Sequence, residues 1–400
     1  MSTIRETVEG LRGQGRGWTL LAVAAGWLFI NGFRVLLPAV LPQVKADFAV
    51  TNASAGFALT VLWLLYAGLQ FPAGIAADRV GERRLLVGGA TLGAVSFAAF
   101  YLAPVFTLFL AACALFGIGA GLFGTPRDMF LSRTYPEADS TAYGFAFAAG
   151  SLGAAALPYV ATTIATRWGW RLAVVWLVPF LLAVAAALWW VGPPTAVPAA
   201  GDRLSARETA RRTLGVLSNR SILLASGVFF PFVFTYQALL SFLPTYLVEL
   251  KGLDQSLAAL LFGLLFVVSA VTTPLAGHAA DQYGEHRTIL ALIVLATVTV
   301  AVLPGLEGRL ALAVLVPLLG IRVAIGPLLS AFMVRELPAS VQGTGWGFLR
   351  TLFFGLGATG STVIGLFADA GLFDTGFLLL AALTGLTALF WLRIPAADRG

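Results

Sequence analysis

The sequence predicts an all-α membrane protein with twelve transmembrane helices in two six-helix bundles that repeat in parallel. Three observations predict it. Apolar residues make up 59% of the chain and charged residues 11%, whereas soluble domains carry about 45–50% and ~25%. A surface with so few charges needs lipid as its solvent. Apolar stretches of about 20 residues, enough to cross the hydrocarbon, recur twelve times along the chain. One charged turn occurs twice, as Gly74-Ile-Ala-Ala-Asp78-Arg-Val-Gly81-Glu82-Arg-Arg84 and as Gly277-His-Ala-Ala-Asp281-Gln-Tyr-Gly284-Glu285-His-Arg287. Matching residues lie 203 positions apart, half of the 400-residue chain. Such a repeat marks a duplicated membrane unit, and duplicated membrane units usually move a solute.

The spans read at about 18–41, 54–73, 85–103, 106–126, 141–163, 171–191, 222–244, 256–275, 288–304, 309–331, 343–367 and 375–393. The polar stretch from Met1 to Gly17 precedes an apolar segment too long for a signal-peptide core, so the first span reads as retained. Residues 1–191 form the first bundle, 192–221 a linker and 222–400 the second bundle. In the linker, Ser205-Ala-Arg-Glu208 has the capping-box pattern, followed by Leu214 and Leu217 one turn apart. This suggests a short amphipathic helix on the membrane surface, with a plain flexible linker as the alternative. Gly117-Ile-Gly-Ala-Gly121 looks like a nucleotide loop but sits inside an apolar span, where small residues serve close helix packing.

With the amino terminus inside, seventeen of the 25 basic residues fall on the inner side, Arg127 among them; five fall outside and three, Arg34, Arg322 and Arg350, within spans. This positive-inside bias puts both termini, the linker and both repeated turns in the cytosol of a multi-pass cell-membrane protein. The repeat extends further: Leu41-Pro42 matches Leu243-Pro244, Pro72 matches Pro274, and Arg133 matches Arg335. Six spans per half give both halves the same orientation, the parallel kind of repeat.

Several function classes drop out. A single cysteine, Cys113, excludes an intrachain disulfide and a Cys-based metal site, and only two histidines occur, His278 and His286. No nucleophile–base or metal constellation is visible, so neither an enzyme nor a cofactor is expected. The net charge of +6 is scattered over short loops and reads as a topology signal rather than a nucleic-acid surface.

On these residues the chain resembles the major facilitator superfamily. The family's signature between spans two and three is similar to Gly74-x3-Asp78-Arg79-x-Gly81-x-Arg83-Arg84, and its weaker copy to Gly277 through Arg287. Trp168-Gly-Trp170-Arg171 after span five also looks like the family. The resemblance covers essentially the whole chain. It implies two bundles enclosing a central cavity, which rock between inward-open and outward-open states. The expected partners are a small-molecule solute, a coupling proton or counter-anion and the lipid bilayer, with the protein a monomer.

The repeated turn supplies candidate gating residues. Gly74 and Gly81, with Gly277 and Gly284 in the second copy, allow a tight turn and close helix approach. Asp78, and Asp281 after it, can accept hydrogen bonds at a helix N-terminus. In the family this aspartate contacts the start of span eleven, here near Gln342 and Gly343, and latches the inner gate; the alternative is a solvated turn that only orients the spans. Arg79, Arg84 and Arg287 complete the motif. Where the family often has a basic residue, this chain has Glu82 and Glu285. Arginines at the inner ends of spans four and ten suggest symmetric pairs, Glu82–Arg133 and Glu285–Arg335. As exposed pairs worth under ~1 kcal/mol, they would serve gating rather than stability.

Polar residues that break the repeat are the substrate candidates. Arg322 corresponds to about Ala120 or Gly121, Arg350 to about Phe147, and Arg34 to about Tyr236 or Gln237. A mid-membrane arginine costs at least ~2.5–3.5 kcal/mol on insertion scales, so it should face a cavity and find an anion or carbonyl groups. Arg322 and Arg350 lie at similar depths and suggest a converging carboxylate or phosphate clamp; the alternative is structural pairing with Asp128 or Glu336. Arg34 shares a helical stripe with Trp27 and Asn31, and either lines the cavity or snorkels to the outer interface. Tyr236 and Gln237 could bond a solute or neighbouring spans, and Asp128 beside Arg127 is a gate or coupling candidate.

The leading expectation is a transporter for a small organic anion. The alternative is efflux of hydrophobic or drug-like compounds by proton antiport through a phenylalanine-rich cavity. It is weakened because spans one and two hold no acid and Asp128 is the only candidate within a span's inner half. A receptor or scaffold without transport fits the doubled gate turn less well.

Overall fold

The computed structural model describes residues 16–136, 138–193, 220–337 and 342–394, with the side chains at 16, 139, 140, 220 and 342–344 outside the description. The expected amphipathic linker helix at Ser205–Glu208 lies outside the described residues. Among the described residues every regular element is helical, and twelve spans are long and apolar enough to cross a membrane. The first half holds α1 (Arg16–Phe48), α2 (Asn52–Val80), α3 (Glu82–Leu102), α4 (Phe106–Thr134), α5 (Asp139–Trp168), α6 (Leu172–Val175) and α7 (Val178–Val191). The second holds α8 (Arg220–Glu249), α9 (Gln255–Tyr283), α10 (Glu285–Val302), α11 (Arg309–Leu318), a 3₁₀ turn (Leu319–Ala324), α12 (Ile325–Glu336), α13 (Gln342–Asp369) and α14 (Phe373–Trp391). Large apolar side chains such as Leu102, Trp190 and Leu310 stand exposed, which suits a hydrocarbon solvent and not water. The chain is a multi-pass membrane protein.

The repeated turn has the same backbone in both copies. Gly81 and Gly284 each have φ 90, a conformation only glycine adopts without strain, and each separates two helices by one residue. Gly74 and Gly277 correct the sequence reading. They lie inside α2 and α9; a Cβ at Gly74 would sit 3.5 Å from Thr125, and one at Gly277 would meet nothing within 4 Å. Neither position requires glycine for close approach.

Span ten departs from the continuous helix that the sequence suggests. It breaks into α11, the 3₁₀ turn and α12. Pro317 supplies no N–H to the ladder, and Gly320 is pressed so close to α9 that a Cβ there would lie 2.1 Å from the Leu265 carbonyl oxygen. Tightening into 3₁₀ geometry is the usual local response.

The chain divides into two compact units, one containing the described residues to 49 and 61–193, the other 50–60 and those from 220 onward. In the first unit, α1 packs along α5, and α3 packs on α4 and α7. Small residues make the contacts possible: a Cβ on Gly153 would fall 2.1 Å from the Leu28 carbonyl, and one on Gly117 2.5 Å from the Leu62 carbonyl. The stretch Gly117 to Gly121 is therefore a packing device, as its apolar setting implies. Its phenylalanines interlock, with ring centroids 4.3 Å apart for Phe33–Phe97 and 4.5 Å for Phe33–Phe116.

In the second unit, α8 packs on α13 and α14. The first turns of α2 are held there too. The Asp369 carboxylate accepts hydrogen bonds from the Asn52 and Ala53 N–H groups, both at 2.8 Å. Thr60 Oγ1 donates to the Ala358 carbonyl at 2.8 Å. An anion across the first N–H groups of a helix satisfies donors that the helix itself leaves free. Asp369→Ala should therefore cost about 1 kcal/mol, the usual loss of a helix cap, with Asp369→Asn between it and the parent. Thermal melts of the detergent-purified protein check the order.

Candidate functional site

At the repeated turns the structure forms both ion pairs that the sequence suggests. Arg133 Nη1 donates to Glu82 Oε1, and its Nη2 to Asp78 Oδ1 at 2.9 Å. Arg335 Nη2 donates to Glu285 Oε2. The copies are unequal. Arg133 bridges two acids, whereas Asp281 makes no ion pair among the described residues. The Glu82 side chain is fully buried, with Oε2 lacking a partner. This corrects the expectation of two exposed pairs: α3 begins at Glu82 directly after a turn packed against its own unit. Losing Arg133 would leave a buried carboxylate uncompensated, which costs more than breaking a surface pair. The expected contact of Asp78 near Gln342 and Gly343 falls on side chains outside the described residues. Arg79, Arg84 and Arg287 are exposed.

The first unit holds a cationic cluster. One face of α1 carries Trp27, Asn31 and Arg34, spaced to lie one above the other. Arg34 Nη2 donates to Asn31 Oδ1 at 2.6 Å, and Asn31 Nδ2 donates to the Gly150 carbonyl at 2.9 Å. Three rings surround the guanidinium, with its carbon 5.1 Å from the Trp27 centroid, 4.8 Å from Trp63 and 4.5 Å from Tyr66. Rings attract a cation through their quadrupole but do not neutralise it. Nε and Nη1 of Arg34 are buried without a hydrogen-bond partner, and no carboxylate pairs with it among the described residues. Gly150 makes room for this arrangement, because a Cβ there would overlap the Trp27 indole at 2.3 Å.

Trp27 also carries a second cation. The Arg127 guanidinium carbon lies 3.8 Å from its ring centroid and 5.7 Å from that of Tyr143. Arg127, at the inner end of span four, is 4% exposed: α4 continues past it to Thr134 and buries it against α1. Its Nε and Nη2 both donate to Asp128 Oδ1, at 2.8 and 2.6 Å, while Nη1 is buried without a partner. Two guanidinium groups thus share one indole, but only that of Arg127 is paired with a carboxylate, and among the described residues the cluster has a formal surplus of one positive charge.

The second unit contains the other two span arginines, which share no partner. Arg322, 1% exposed, lies in the 3₁₀ turn and donates to Thr235 Oγ1 at 2.7 Å and to the Thr235 carbonyl at 3.3 Å. It stands 5.8 Å from the Phe232 ring and 6.0 Å from Tyr236, and its Nε lacks a partner. Arg322 therefore ties the broken span to α8 and is closed to a solute in this structure. Arg350 is half-buried, lies over Phe354 at 5.7 Å, and makes no hydrogen bond or ion pair among the described residues. Gln237 is fully buried and makes only a long contact, 3.4 Å, from Nε2 to the Phe354 carbonyl.

The walls around Arg34 escape a reading that looks for polar residues. Trp63 and Tyr66 do fall at helical spacing on α2, a signal visible in the sequence but indistinguishable there from a packing stripe. Thr235, the partner of Arg322, carries no comparable signal, because threonine within a membrane helix commonly bonds its own backbone.

The comparisons with known proteins agree with this architecture. The model of the Major Facilitator Superfamily matches residues 22–361. A nitrite extrusion protein of Bacillus subtilis is 24% identical over 268 residues, which cover 65% of each chain. A hexuronate transporter of the same species is 23% identical over 393 residues, covering 92% of this chain and 93% of the relative. The multidrug resistance protein Stp of Mycobacterium tuberculosis is 27% identical over 155 residues, 38% of this chain and 29% of the relative. In fold, the chain is similar to the crystal structure of the nucleoside transporter NupG, with a TM-score of 0.82, 13% identity, and coverage of 94% and 99%. With the family match running over most of the spans, and the doubled turn and twelve helices on which it rests, the chain belongs to the Major Facilitator Superfamily.

Proposed function

We propose that this protein carries a small organic anion across the membrane by alternating access, with Arg34 as the principal anion-binding group. The uncompensated Arg34 guanidinium carries this reading: two of its nitrogens are buried without a partner, among three rings. A buried charge is costly until it is paired, and a carboxylate would supply the missing pair. Arg350 in the second unit is also without an acid, so both units favour negative solutes. Two relatives, a nitrite extrusion protein and a hexuronate transporter, support an anion. The positive-inside bias supports a cytosolic position for both termini and the repeated turns.

Efflux of hydrophobic compounds is the competing reading, supported by the multidrug relative. Against it, Phe33, Phe97, Phe100, Phe109, Phe116 and Phe123 are fully buried against other side chains and offer no apolar wall to a solute. Proteoliposomes carrying the purified protein, tested with radiolabelled glucuronate, benzoate and nitrite, separate the two. Arg34→Ala should lower anion uptake ~10- to 100-fold, the loss of a charge-assisted contact of about 1.5–3 kcal/mol, and Arg34→Lys should restore only part of it, since the ammonium lacks the planar fork. Normal anion uptake by Arg34→Ala, or drug resistance in cells that depends on none of the arginines, would overturn the anion reading.

The ion pairs at the repeated turns act as the inner gate in this proposal. Charge reversal at both positions, Glu82→Arg with Arg133→Glu, should recover uptake lost in either single variant. Glu82→Ala should impair uptake more than Glu285→Ala, because the first copy is a three-residue network around a buried acid and the second an open pair. Uptake measured in cells across the four single variants and the double reversal checks this.

A further inference from the structure

We infer that one corner of the first unit, where the starts of α1 and α3 meet the end of α7, binds an anionic phospholipid with a glycerol headgroup. The site is separate from the Arg34 cluster and does not depend on what the protein carries.

Arg83 and Arg84 occupy the first turn of α3. The dipole at a helix N-terminus favours anions, so cations are poorly placed there. The acid of that turn does not compensate them. Glu82 is buried under Arg133, which also holds Asp78. Neither Arg83 nor Arg84 makes an ion pair among the described residues. Arg83 is nonetheless fixed in place. Its Nη1 donates to the Gly192 carbonyl just past α7 at 2.9 Å, and its guanidinium carbon lies 5.2 Å from the Trp189 ring centroid. Its other N–H donors, and all of those on Arg84, have no acceptor among the described residues. Arg83 is half-buried and Arg84 exposed.

Tryptophans supply the other half of the site. Trp18, Trp189 and Trp190 are 70%, 50% and 83% exposed. Thr19 Oγ1 donates to the Val191 carbonyl at 2.8 Å, which ties the start of α1 to the end of α7 and brings the three tryptophans to one corner. None of their indole N–H groups has an acceptor among the described residues. Exposed indoles settle at the headgroup level of a bilayer, with the ring in the apolar layer and the N–H toward polar groups.

This inventory selects the occupant. The corner faces the bilayer and offers positive charge and hydrogen-bond donors. A phosphodiester with ester carbonyls beneath it supplies acceptors at both levels, and arginine suits its oxygens. A headgroup that carries an ammonium would add a cation with no carboxylate to receive it, because both neighbouring acids are held by Arg133. A glycerol headgroup leaves the lipid with a net negative charge. The second copy of the turn differs: His286 stands in place of Arg83 and stacks on Trp391, which is buried. That copy lacks paired arginines beside open indoles.

Native mass spectrometry of the delipidated full chain tests the inference, with dioleoyl phosphatidylglycerol, phosphatidylethanolamine and phosphatidylcholine as probes. The wild type should bind phosphatidylglycerol about 30-fold more tightly than either other lipid, the preference of two arginines for an anionic headgroup. Its melting temperature should rise most with phosphatidylglycerol. Arg83→Gln with Arg84→Gln should abolish the preference. Arg84→Gln alone leaves the Gly192 bond in place and should reduce it to about fivefold. Arg287→Gln with Arg393→Gln removes the same charge from the second unit and should leave the preference unchanged. Equal binding of phosphatidylglycerol and either other lipid by the wild type overturns the proposal. So does a preference that survives the Arg83 and Arg84 changes, or one that the second-unit pair removes equally. Soluble glycerophosphoglycerol, the headgroup without its chains, should give no thermal shift. Protection by it equal to that by the lipid would mark a site for a free phosphodiester and overturn the lipid assignment.

Discussion

In a hydrocarbon solvent, a charge that enters the protein has no water to fall back on, and this constraint organises the molecule. Backbone groups meet it by becoming helix throughout the described spans. Each charged side chain within a span meets it differently. Glu82 is buried under Arg133, Arg322 is turned onto Thr235 in a broken helix, and Arg127 is pinned to Asp128. Arg34 relies on aromatic faces and one amide. Rings lower the cost of a buried cation without cancelling its charge.

The two copies of the repeated turn separate what the fold needs from what one half has added. Gly81 and Gly284 share one backbone conformation, so that feature belongs to the turn itself. The acid–arginine pair is kept in both halves, but only the first adds Asp78 to the arginine and fully buries its glutamate. The first-half network resists separation by salt and solvent more than its twin.

Small residues position the cationic cluster as much as the arginines do. Trp27 can lie between Arg34 and Arg127 because Gly150 leaves space for the indole, and α1 can approach α5 because Gly153 faces the Leu28 backbone. The Gly150 carbonyl also orients Asn31, which in turn holds Arg34. A chain of short contacts thus runs from helix packing to guanidinium geometry, and a side chain at either glycine would disturb the site without touching a charge.

The sequence by itself determined the fold class, the duplication, the twelve spans and the residues able to carry charge into the membrane. It could do so because these depend on composition, segment length and a repeat, all of which are local or periodic properties of the chain. The pairs Glu82–Arg133 and Glu285–Arg335 were legible for the same reason, since a symmetry-related position exposes both partners. Tertiary structure alone decided how each span arginine is compensated. Arg322 and Arg350 lie at similar depths yet have different partners, because depth along a helix does not fix the direction in which a side chain leaves it. Arg127 reads as an inner-side residue at the end of span four until it is seen on the Trp27 ring, and Trp63 and Tyr66 read as packing until Arg34 is seen against their rings. Burial and the identity of a neighbour are properties of the packed bundle, and the charge left over on Arg34 exists only there.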